Sequence, residues 1–442
     1  MLRYCVTFLI TVLAMGTFVS EALALTMEEA VLFALENNHR IKEFERLEDS
    51  AREDVGVKRG AFWPSADLSY SYADVEVGGA TPLGSAFNRN VSSGTAEISY
   101  NLFNGLSDLR SLQESLSRAE ASMYERDAVT ADVVLDARTA YIDVLRAKRA
   151  AATAREGVEL LERQAEDARR FYDVGLFAKN DVLKVEVELA SARQDLIAAE
   201  GDLAVARKLL ERTIGVGIPE DEVVEDLEET PSAAWPPYEE LSTEALAGRS
   251  ELRQLRALGE AQGYGAEAIR GDYFPSVDLS FTHTRYGDNA DLAGRELLND
   301  DEDRITLSAT WNVFDGFSTS HALKQARYQQ EATLERLRDT REEILLQLKE
   351  ALEGYEVALG RLEAAATAVE QAEENYRVTQ NQFREQLATT TDLLDARFFL
   401  TRARNQHNNA VYDTHLWAAR IDRAVEAPLP GEGGEEAAGP PQ

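Results

Sequence analysis

The residues LLQLKEALEGYEVALGRLEAAATAV, from Leu345 to Val369, carry the pattern from which the architecture follows. Apolar side chains recur there at alternating steps of three and four, which is the spacing of a coiled-coil stripe. The stripe consists of Leu345, Leu348, Leu352, Tyr355, Leu359, Leu362, Ala366 and Val369. The intervening residues are mostly Glu, Arg, Gln and Ala, which favour helix. The pattern predicts one helix from Gly316 to about Phe383, on the order of 100 Å long at about 1.5 Å per residue.

A comparable helix occurs in the first half of the chain, at a constant offset of 211 residues. Asn104-Gly105-Leu106 opens it, as Asp315-Gly316-Phe317 opens the second. The same offset relates Trp63-Pro64-Ser65 to Phe274-Pro275-Ser276, Asp181-Val182-Leu183 to Asp392-Leu393-Leu394, and Ala34-Leu35 to Ala245-Leu246. A register that holds across half a chain predicts a tandem duplication.

The N-terminus has the pattern of a secretory signal peptide over residues 1–24. Arg3 supplies the positive end, an apolar run follows, and Ala22-Leu23-Ala24 forms a small-residue cleavage site. A membrane anchor is the less favoured interpretation because the apolar run is short. Cys5 is the single cysteine and would leave with the signal, so stability must come from packing and assembly.

The chain is acidic, with 79 Asp and Glu against 46 Lys and Arg and a formal net charge of −33. Loss of the signal peptide removes Arg3 and Glu21 and leaves this balance unchanged. A phosphate-binding surface needs the opposite sign, so nucleic acid is excluded as a partner. The simplest interpretation of the charge is a solvated helical exterior.

Shorter helices are predicted from Leu25 to Gly60 and from Leu241 to Gly271, each ending before a proline. Strict two-residue alternation then predicts strands with one apolar and one polar face. The four strands span Ser65 to Tyr72, Glu97 to Phe103, Ser276 to His283 and Arg304 to Phe314, with polar turns at Gly78 to Gly94 and Gly287 to Asp303.

The apolar strand faces include the aromatic residues Tyr70, Tyr72, Tyr100, Phe281 and Trp311. Such strands are typical of an outer-membrane barrel, and the alternative is a sheet covering an ordinary core. The rest of the chain is amphipathic helix and offers no separate apolar layer, which favours the barrel. Because a closed barrel needs about eight strands or more, one chain must oligomerise, a dimer giving eight strands and a trimer twelve. The predicted fold is mainly α with a membrane β-barrel portion.

The long helices break near Val174-Gly175-Leu176 and Glu385-Gln386-Leu387, and a return helix follows each break. The predicted division is therefore a first repeat at 25–215, a linker at 216–240, a second repeat at 241–425 and a disordered tail at 426–442. Each repeat consists of a helix, a β-hairpin and a long helical hairpin.

These features together resemble the TolC-like outer-membrane efflux protein family. The motifs that carry the resemblance are the two repeats, Trp63-Pro64-Ser65, Phe274-Pro275-Ser276, the Phe-Asn-Gly and Phe-Asp-Gly turns at 103 and 314, and Tyr172 to Leu176 leading to Asp181-Val182. The resemblance implies a homotrimer with a twelve-stranded barrel in outer-membrane lipid, continued by an α-helical barrel through the periplasm. It implies an exit duct for efflux or type I secretion, coupled to a periplasmic adaptor and an inner-membrane transporter.

In the family the hairpin tips close the tunnel with acidic residues and a link between neighbouring coils. The matching acidic positions are Asp392 and Asp395, and Asp181 is retained. Two solvated carboxylates at a helix start are the alternative interpretation. Phe383 stands where the family can place a linking Tyr, and Ala388 where it can place an Arg. The closing link must therefore differ, and Lys179 is not established as its replacement.

The adaptor-contact tips implied by the resemblance are Val174-Gly175-Leu176 and Gln386-Leu387; in the second tip, Gln386 replaces the Gly.

The sequence shows no reaction centre, because the five histidines lack ligand spacing and no Gly-rich phosphate loop follows a strand. We therefore expect no enzyme activity, cofactor or metal. Two alternatives stay open: a periplasmic coiled-coil structural or adaptor protein without channel activity, and a surface adhesin or phage receptor that uses the strand loops.

Overall fold

The computed structural model describes residues 24–76, 88–219, 223–228, 230–231, 235–293 and 300–428. All but the last residue of the predicted signal peptide, nearly all of the predicted tail, and parts of the predicted linker and strand loops lie outside these residues. No helix in the described part of the chain has both the length and the apolar composition needed to cross a bilayer.

The described elements alternate helices and β-hairpins in two similar series. The first series consists of α1 (Met27–Asn37), α2 (His39–Gly60), β1 (Ser65–Glu76), β2 (Asn88–Asn104), α3 (Ser107–Asp173) and α4 (Lys179–Ile214). The second consists of α5 (Tyr238–Gly248), α6 (Ser250–Gly271), β3 (Ser276–Gly287), β4 (Asp301–Thr310), α7 (Ser318–Arg384) and α8 (Thr390–Val425). The mainly α fold with a β portion is thus confirmed.

Both shorter helices are broken, so the prediction of one continuous helix in each repeat is wrong. Asn38 interrupts the first with extended backbone, and its side chain donates to the Thr213 carbonyl at 2.7 Å. Arg249 interrupts the second, and its buried guanidinium forms an ion pair with Glu251 at 2.8 Å. The Asn38 side chain is thereby bound to a distant segment, whereas the Arg249 side chain is bound to a residue two positions later in α6.

The strands form one antiparallel sheet in the order β1-β2-β3-β4. Its register pairs Ser65 with Ser99, and Ser276 with both Asn104 and Thr310, so all four helix–strand junctions lie at the same end. The strand predicted to reach Phe314 ends at Thr310, and this part of the prediction is wrong. Thr310 pairs with the first residue of β3, and Pro275 before it has no N–H to continue the ladder.

The turns after β2 and β4 have the same backbone in both repeats. Gly105 and Leu106 have φ of +69° and +67°, and Gly316 and Phe317 have φ of +70° and +69°. A Cβ on Gly105 would lie 2.2 Å from the Gly271 carbonyl oxygen, so a side chain is excluded there.

The chain forms two compact units, each built from segments of both repeats. Unit 1 contains Met1–Lys42, Val129–Gly248 and Ile344–Gln442, and unit 2 contains Glu43–Ala128 and Arg249–Glu343. In unit 1, α3 packs on α4 through a cluster formed by Val158, Leu161, Ala165, Ala168, Val182, Val185 and Leu189.

The buried stripe of α7 differs from its prediction at every second position. Ile344, Leu348, Ala351 and Ala358 are buried, whereas Leu359 is exposed. The steps of three and four are retained, but Ile344, Ala351 and Ala358 are buried one position before the predicted Leu345, Leu352 and Leu359. Small side chains allow close packing, as at Gly354, where an added Cβ would lie 2.5 Å from the Trp417 ring.

Candidate functional site

The two predicted tips share one backbone geometry despite their different sequences. Gly175 and Gln386 have φ of +77° and +60°, in the left-handed region. The next residue in each tip, Leu176 or Leu387, donates its N–H to the carbonyl of Phe171 or Gln382 at 2.8 Å. These are helix C-terminal caps of the Schellman type. Val174, Leu176 and Leu387 are exposed, so each tip presents an apolar surface to solvent.

The predicted gate residue Asp392 lies in a capping box at the start of α8. Its carboxylate accepts hydrogen bonds from the Thr389 hydroxyl at 2.7 Å and the Thr389 N–H at 2.8 Å, while its own N–H donates to that hydroxyl. These hydrogen bonds lower the pKa of Asp392, because they stabilise the charged form. Asp395, one turn later, is exposed, and Asp181 lies in the first turn of α4. Asp392 thus has the geometry of a helix-start carboxylate and remains charged.

An aromatic contact joins the two hairpins close to the tips. Phe177 packs edge-on against Phe383 with ring centroids 5.6 Å apart, and against Phe171 at 5.1 Å. Phe177 is the counterpart of Ala388 at the 211-residue offset, so the first repeat has an aromatic residue where the second has a small one. Sequence reasoning noted Phe383 but missed Phe177, whose aromatic character at a tip was the available signal.

Polar contacts also connect the same hairpins further along. Lys184 Nζ lies 3.1 Å from Thr391 Oγ1. Arg397 lies 3.7 Å from Glu188, and Arg404 lies 3.3 Å from Glu156. These links were missed because their pairing depends on how the helices pack. Among the described contacts, Lys184 rather than Lys179 is the lysine that reaches the second hairpin.

The described part of the predicted linker is held against the helices of unit 1. Leu25 and Val224 form a parallel bridge, and the Tyr141 hydroxyl lies 2.8 Å from the Leu25 carbonyl and 2.7 Å from that of Glu225. His415 Nε2 donates to the Glu228 carbonyl at 2.8 Å, and burial lowers the pKa of His415. We call residues 223–228 the strap.

The sheet has one face of exposed apolar side chains. Ala66, Ile98, Phe281 and Ile305 form one row across the four strands, and Tyr100, Leu279 and Leu307 form the next. Leu68 is 87% exposed and Ile305 is 76% exposed. The predicted aromatic residues Tyr70, Tyr72, Tyr100, Phe281 and Trp311 are all exposed, and the Trp311 indole donates to the Tyr273 carbonyl at 3.1 Å.

Towards the strand loops, ionic side chains replace the apolar ones on this face. His283 Nδ1 lies 2.8 Å from Asp303, and Arg285 lies 4.0 Å from Asp301. The opposite face is mostly polar, as where the Asn101 amide donates to Asp278 at 2.7 Å. The sheet therefore has an apolar band bounded by charge, which is the arrangement that a lipid-facing strand needs.

A family model described as "Outer membrane efflux protein" matches residues 33–216 and 241–425, one segment in each repeat. The chain belongs to this family. The predicted family resemblance and the outer-membrane location are thereby confirmed, and an efflux or secretion channel is the function that membership supports. Members of the outer membrane efflux protein family are channels rather than enzymes.

Individual relatives agree with the family assignment. Outer membrane protein TolC of Vibrio cholerae is 24% identical over 420 residues, which cover 93% of each chain. Alkaline protease secretion protein AprF of Pseudomonas aeruginosa is 23% identical over 91% of this chain and 84% of its own. The outer-membrane channel OprN has the same fold, with a TM-score of 0.77, 18% identity and coverage of 91% of this chain and 90% of that one.

Proposed function

We propose that this efflux family member works as a homotrimeric outer-membrane channel-tunnel. It is the passive exit duct of a tripartite efflux or type I secretion system, with a periplasmic adaptor and an inner-membrane transporter as partners. Family membership and the similarity to a secretion protein, AprF, support the proposal of such partners. The substrate is chosen by the transporter, which is a different chain.

The observation that carries this proposal is the four-stranded sheet with an exposed apolar face. Its order makes β1 and β4 edge strands within the described chain. Open edges are not tolerated in hydrocarbon, and a closed barrel needs about eight strands or more. Three copies supply twelve strands and pair every edge.

An exposed apolar stripe on α4 supports assembly. Leu183, Val187, Ile197 and Val205 are exposed, and their spacing places them near one face of the helix. Large side chains in such a row are costly in water and suited to contact with a neighbouring subunit. We assign this stripe to the interface between copies of the chain.

The gate is assigned to the tips, with Asp392, Asp395 and Asp181 as its acidic residues. Three copies of the Asp392 and Asp395 pair in a narrow ring would repel each other, favour cations and disfavour anions. The tips at Val174 to Leu176 and Gln386 to Leu387 are the proposed adaptor contacts, since they expose apolar side chains on turns of the same backbone geometry.

The experiment is single-channel conductance in planar bilayers, comparing wild type with an Asp392→Asn, Asp395→Asn double variant. We expect a small cation-selective conductance that loses selectivity in the variant. Asp413→Asn is a control elsewhere on α8, where Asp413 pairs with Arg146 at 2.8 Å. Unchanged selectivity in the double variant would reject the gate assignment but keep the channel. No conductance from any of the proteins would reject the channel and favour the coiled-coil scaffold.

A further inference from the structure

The end of the sheet that carries the four helix junctions is rich in exposed aromatic side chains. All of them belong to unit 2. They are Phe62, Trp63, Phe103, Tyr273, Phe274, Trp311, Phe314 and Phe317. Aromatic residues collect where a membrane meets water, because their rings suit the headgroup level. We call this set the aromatic belt.

Basic residues flank the belt although the whole chain is strongly acidic. Lys58 and Arg59 end α2, directly before β1. The segment from Gly316 to Gln330 contains Lys324 and Arg327 and no acidic residue. Lys58, Arg59, Lys324 and Arg327 stand near the belt together with Asp108, Asp272 and Asp315, and basic residues beside an aromatic belt can contact anionic headgroups.

A cavity of about 360 Å³ lies between α6 and α7, the two helices that join β3 and β4 at the belt. It is lined by Glu260, Gly263, Tyr264, Ala266, Glu267, Arg270, Leu323, Arg327 and Gln330. Its volume falls within the range of small-molecule sites, roughly 300–1,000 Å³.

The charges lining the cavity are arranged asymmetrically. Arg110 neutralises Glu267 through an ion pair at 2.8 Å. Glu260 lies ten residues before Arg270 on α6, about 15 Å further from the sheet at 1.5 Å per residue. The guanidinium groups of Arg270 and Arg327 form no ion pair with any residue that the structure describes. Arg270 stands at the end of the cavity nearest the belt and Arg327 further along α7, so two guanidinium groups without a described ion-pair partner line the cavity for a ligand.

We propose that this cavity binds the phosphate of an anionic glycerophospholipid in the periplasmic leaflet of the outer membrane. Arg270 and Arg327 hold the phosphate, Tyr264 and Gln330 border the headgroup, and the aromatic belt contacts the glycerol and acyl chains. The inference rests on the proposed function, because it requires the apolar band of the sheet to lie in lipid.

The arrangement selects a lipid over a free anion. Guanidinium groups bind phosphate strongly, and each basic residue near a membrane surface adds about 1 kcal/mol of attraction to anionic lipid. A free phosphate would bind only to the arginines. A phospholipid would bind to the arginines and also contact the apolar rings of the belt, which lie beside the same junctions.

The test is native mass spectrometry of the full chain purified in detergent and offered phosphatidylglycerol and phosphatidylcholine together. Wild type should retain phosphatidylglycerol in preference. An Arg270→Gln, Arg327→Gln variant should lose roughly 10- to 30-fold of that preference, as expected for two charges. Arg270→Lys, Arg327→Lys should keep most of it. Arg338→Gln is the matched control, because Arg338 is exposed in unit 2 and pairs with Glu335 away from the cavity.

Conductance in phosphatidylcholine bilayers separates the two proposals. If the glutamine variant conducts like wild type and has lost its lipid preference, both proposals are supported. If it conducts like wild type and retains the preference, the lipid site is overturned and the channel stands. If neither protein conducts but only wild type prefers phosphatidylglycerol, the channel proposal fails and the lipid site stands. If wild type shows no preference, the lipid site is overturned. If the glutamine variant does not fold, the lysine variant decides the question. Loss of the phosphatidylglycerol preference in the lysine variant would contradict a site based on charge.

Discussion

At the scale of single residues, Gln386 occupies a backbone conformation that suits glycine. Its φ of +60° matches the +77° of Gly175 in the first tip. A side chain in the left-handed region costs roughly 1–2 kcal/mol, and glycine avoids this cost but loses more entropy on folding. Gln386→Gly should therefore stabilise the second tip by about 0.5–1 kcal/mol. Hydrogen exchange of the amides in residues 382–390 should slow accordingly.

The reciprocal change in the first tip provides the control. Gly175→Gln places a side chain at φ +77°, where no neighbouring atom lies within 4 Å of an added Cβ. Any destabilisation therefore comes from the backbone and not from a clash. Faster exchange in this tip is expected, and equal exchange in the variant and wild type would contradict the backbone argument.

The strap should respond to pH through His415. Burial lowers the pKa of His415 in the folded state below its ordinary value near 6.5, and the nearby Asp226 and Glu228 only partly oppose this. Below about pH 6.5 the unfolded state therefore binds more protons than the folded state, and stability falls as pH drops towards the folded pKa. After correction for intrinsic exchange, the protection of the amides of residues 223–228 against hydrogen exchange should fall as the pH is lowered from 7.5 to 5.5.

His415→Gln tests the assignment of this pH dependence. Glutamine keeps an N–H donor for the Glu228 carbonyl but does not titrate in this range. Strap exchange in the variant should vary less with pH than in wild type, after correction for intrinsic exchange. A full pH response in the variant would place the titrating group elsewhere.

At the scale of elements, the return helices differ in how they begin. Thr389 and Asp392 form a complete capping box on α8. The corresponding cap of α4 is Ala178, which has the same extended backbone but no side-chain cap, and Asp181 already stands at the matching third position. Ala178→Thr should complete the box and stabilise α4 by about 1 kcal/mol. Thermal unfolding of the detergent-solubilised protein should shift upwards.

Thr389→Ala is the matched opposite, since it removes an existing capping box from α8. It should destabilise by a similar amount. The two variants combined should nearly cancel, because the helix starts carry the same motif. If Ala178→Thr has no effect while Thr389→Ala destabilises, the two helix starts are not equivalent.

The elements themselves were largely predictable from the sequence, because helix and strand periods are local properties. The constant offset located the junctions at Gly105 and Gly316 and the tips at Gly175 and Gln386. Periodicity alone could not choose between Leu359 and Ala358 for the buried stripe, since the choice depends on how closely the partner helix approaches. The break at Asn38 involves a hydrogen bond to the distant Thr213 carbonyl, and the break at Arg249 involves burial of its own side chain, so neither could be predicted from local sequence.

The candidate site was less predictable than the fold. The acidic positions followed from the family pattern, but the contact of Phe177 with Phe383 and that of Lys184 with Thr391 arise from packing between hairpins. Such pairs have no fixed spacing in the sequence. A family pattern therefore predicts where a site lies more readily than which side chains close it.

At the scale of the whole molecule, the apolar band should decide membrane insertion. Ile305→Arg places a charge on the exposed apolar face, where it would cost roughly 2–4 kcal/mol at the bilayer midplane. Thr306→Arg places the same charge on the opposite face, at the next residue of β4. We expect Ile305→Arg to reduce the amount of protein in the outer-membrane fraction, and Thr306→Arg to leave it nearly unchanged. Equal behaviour of the two variants would argue against lipid contact on that face.

The open edges of the sheet also have a kinetic consequence. In the proposed trimer, each chain supplies its own helical hairpins but only a third of the strands of a twelve-stranded barrel. Completion of that barrel would therefore be a concentration-dependent step, whereas formation of each helical hairpin would not. Newly exported subunits would wait with β1 and β4 unpaired, so slow synthesis would prolong the interval in which they are vulnerable to aggregation and proteolysis.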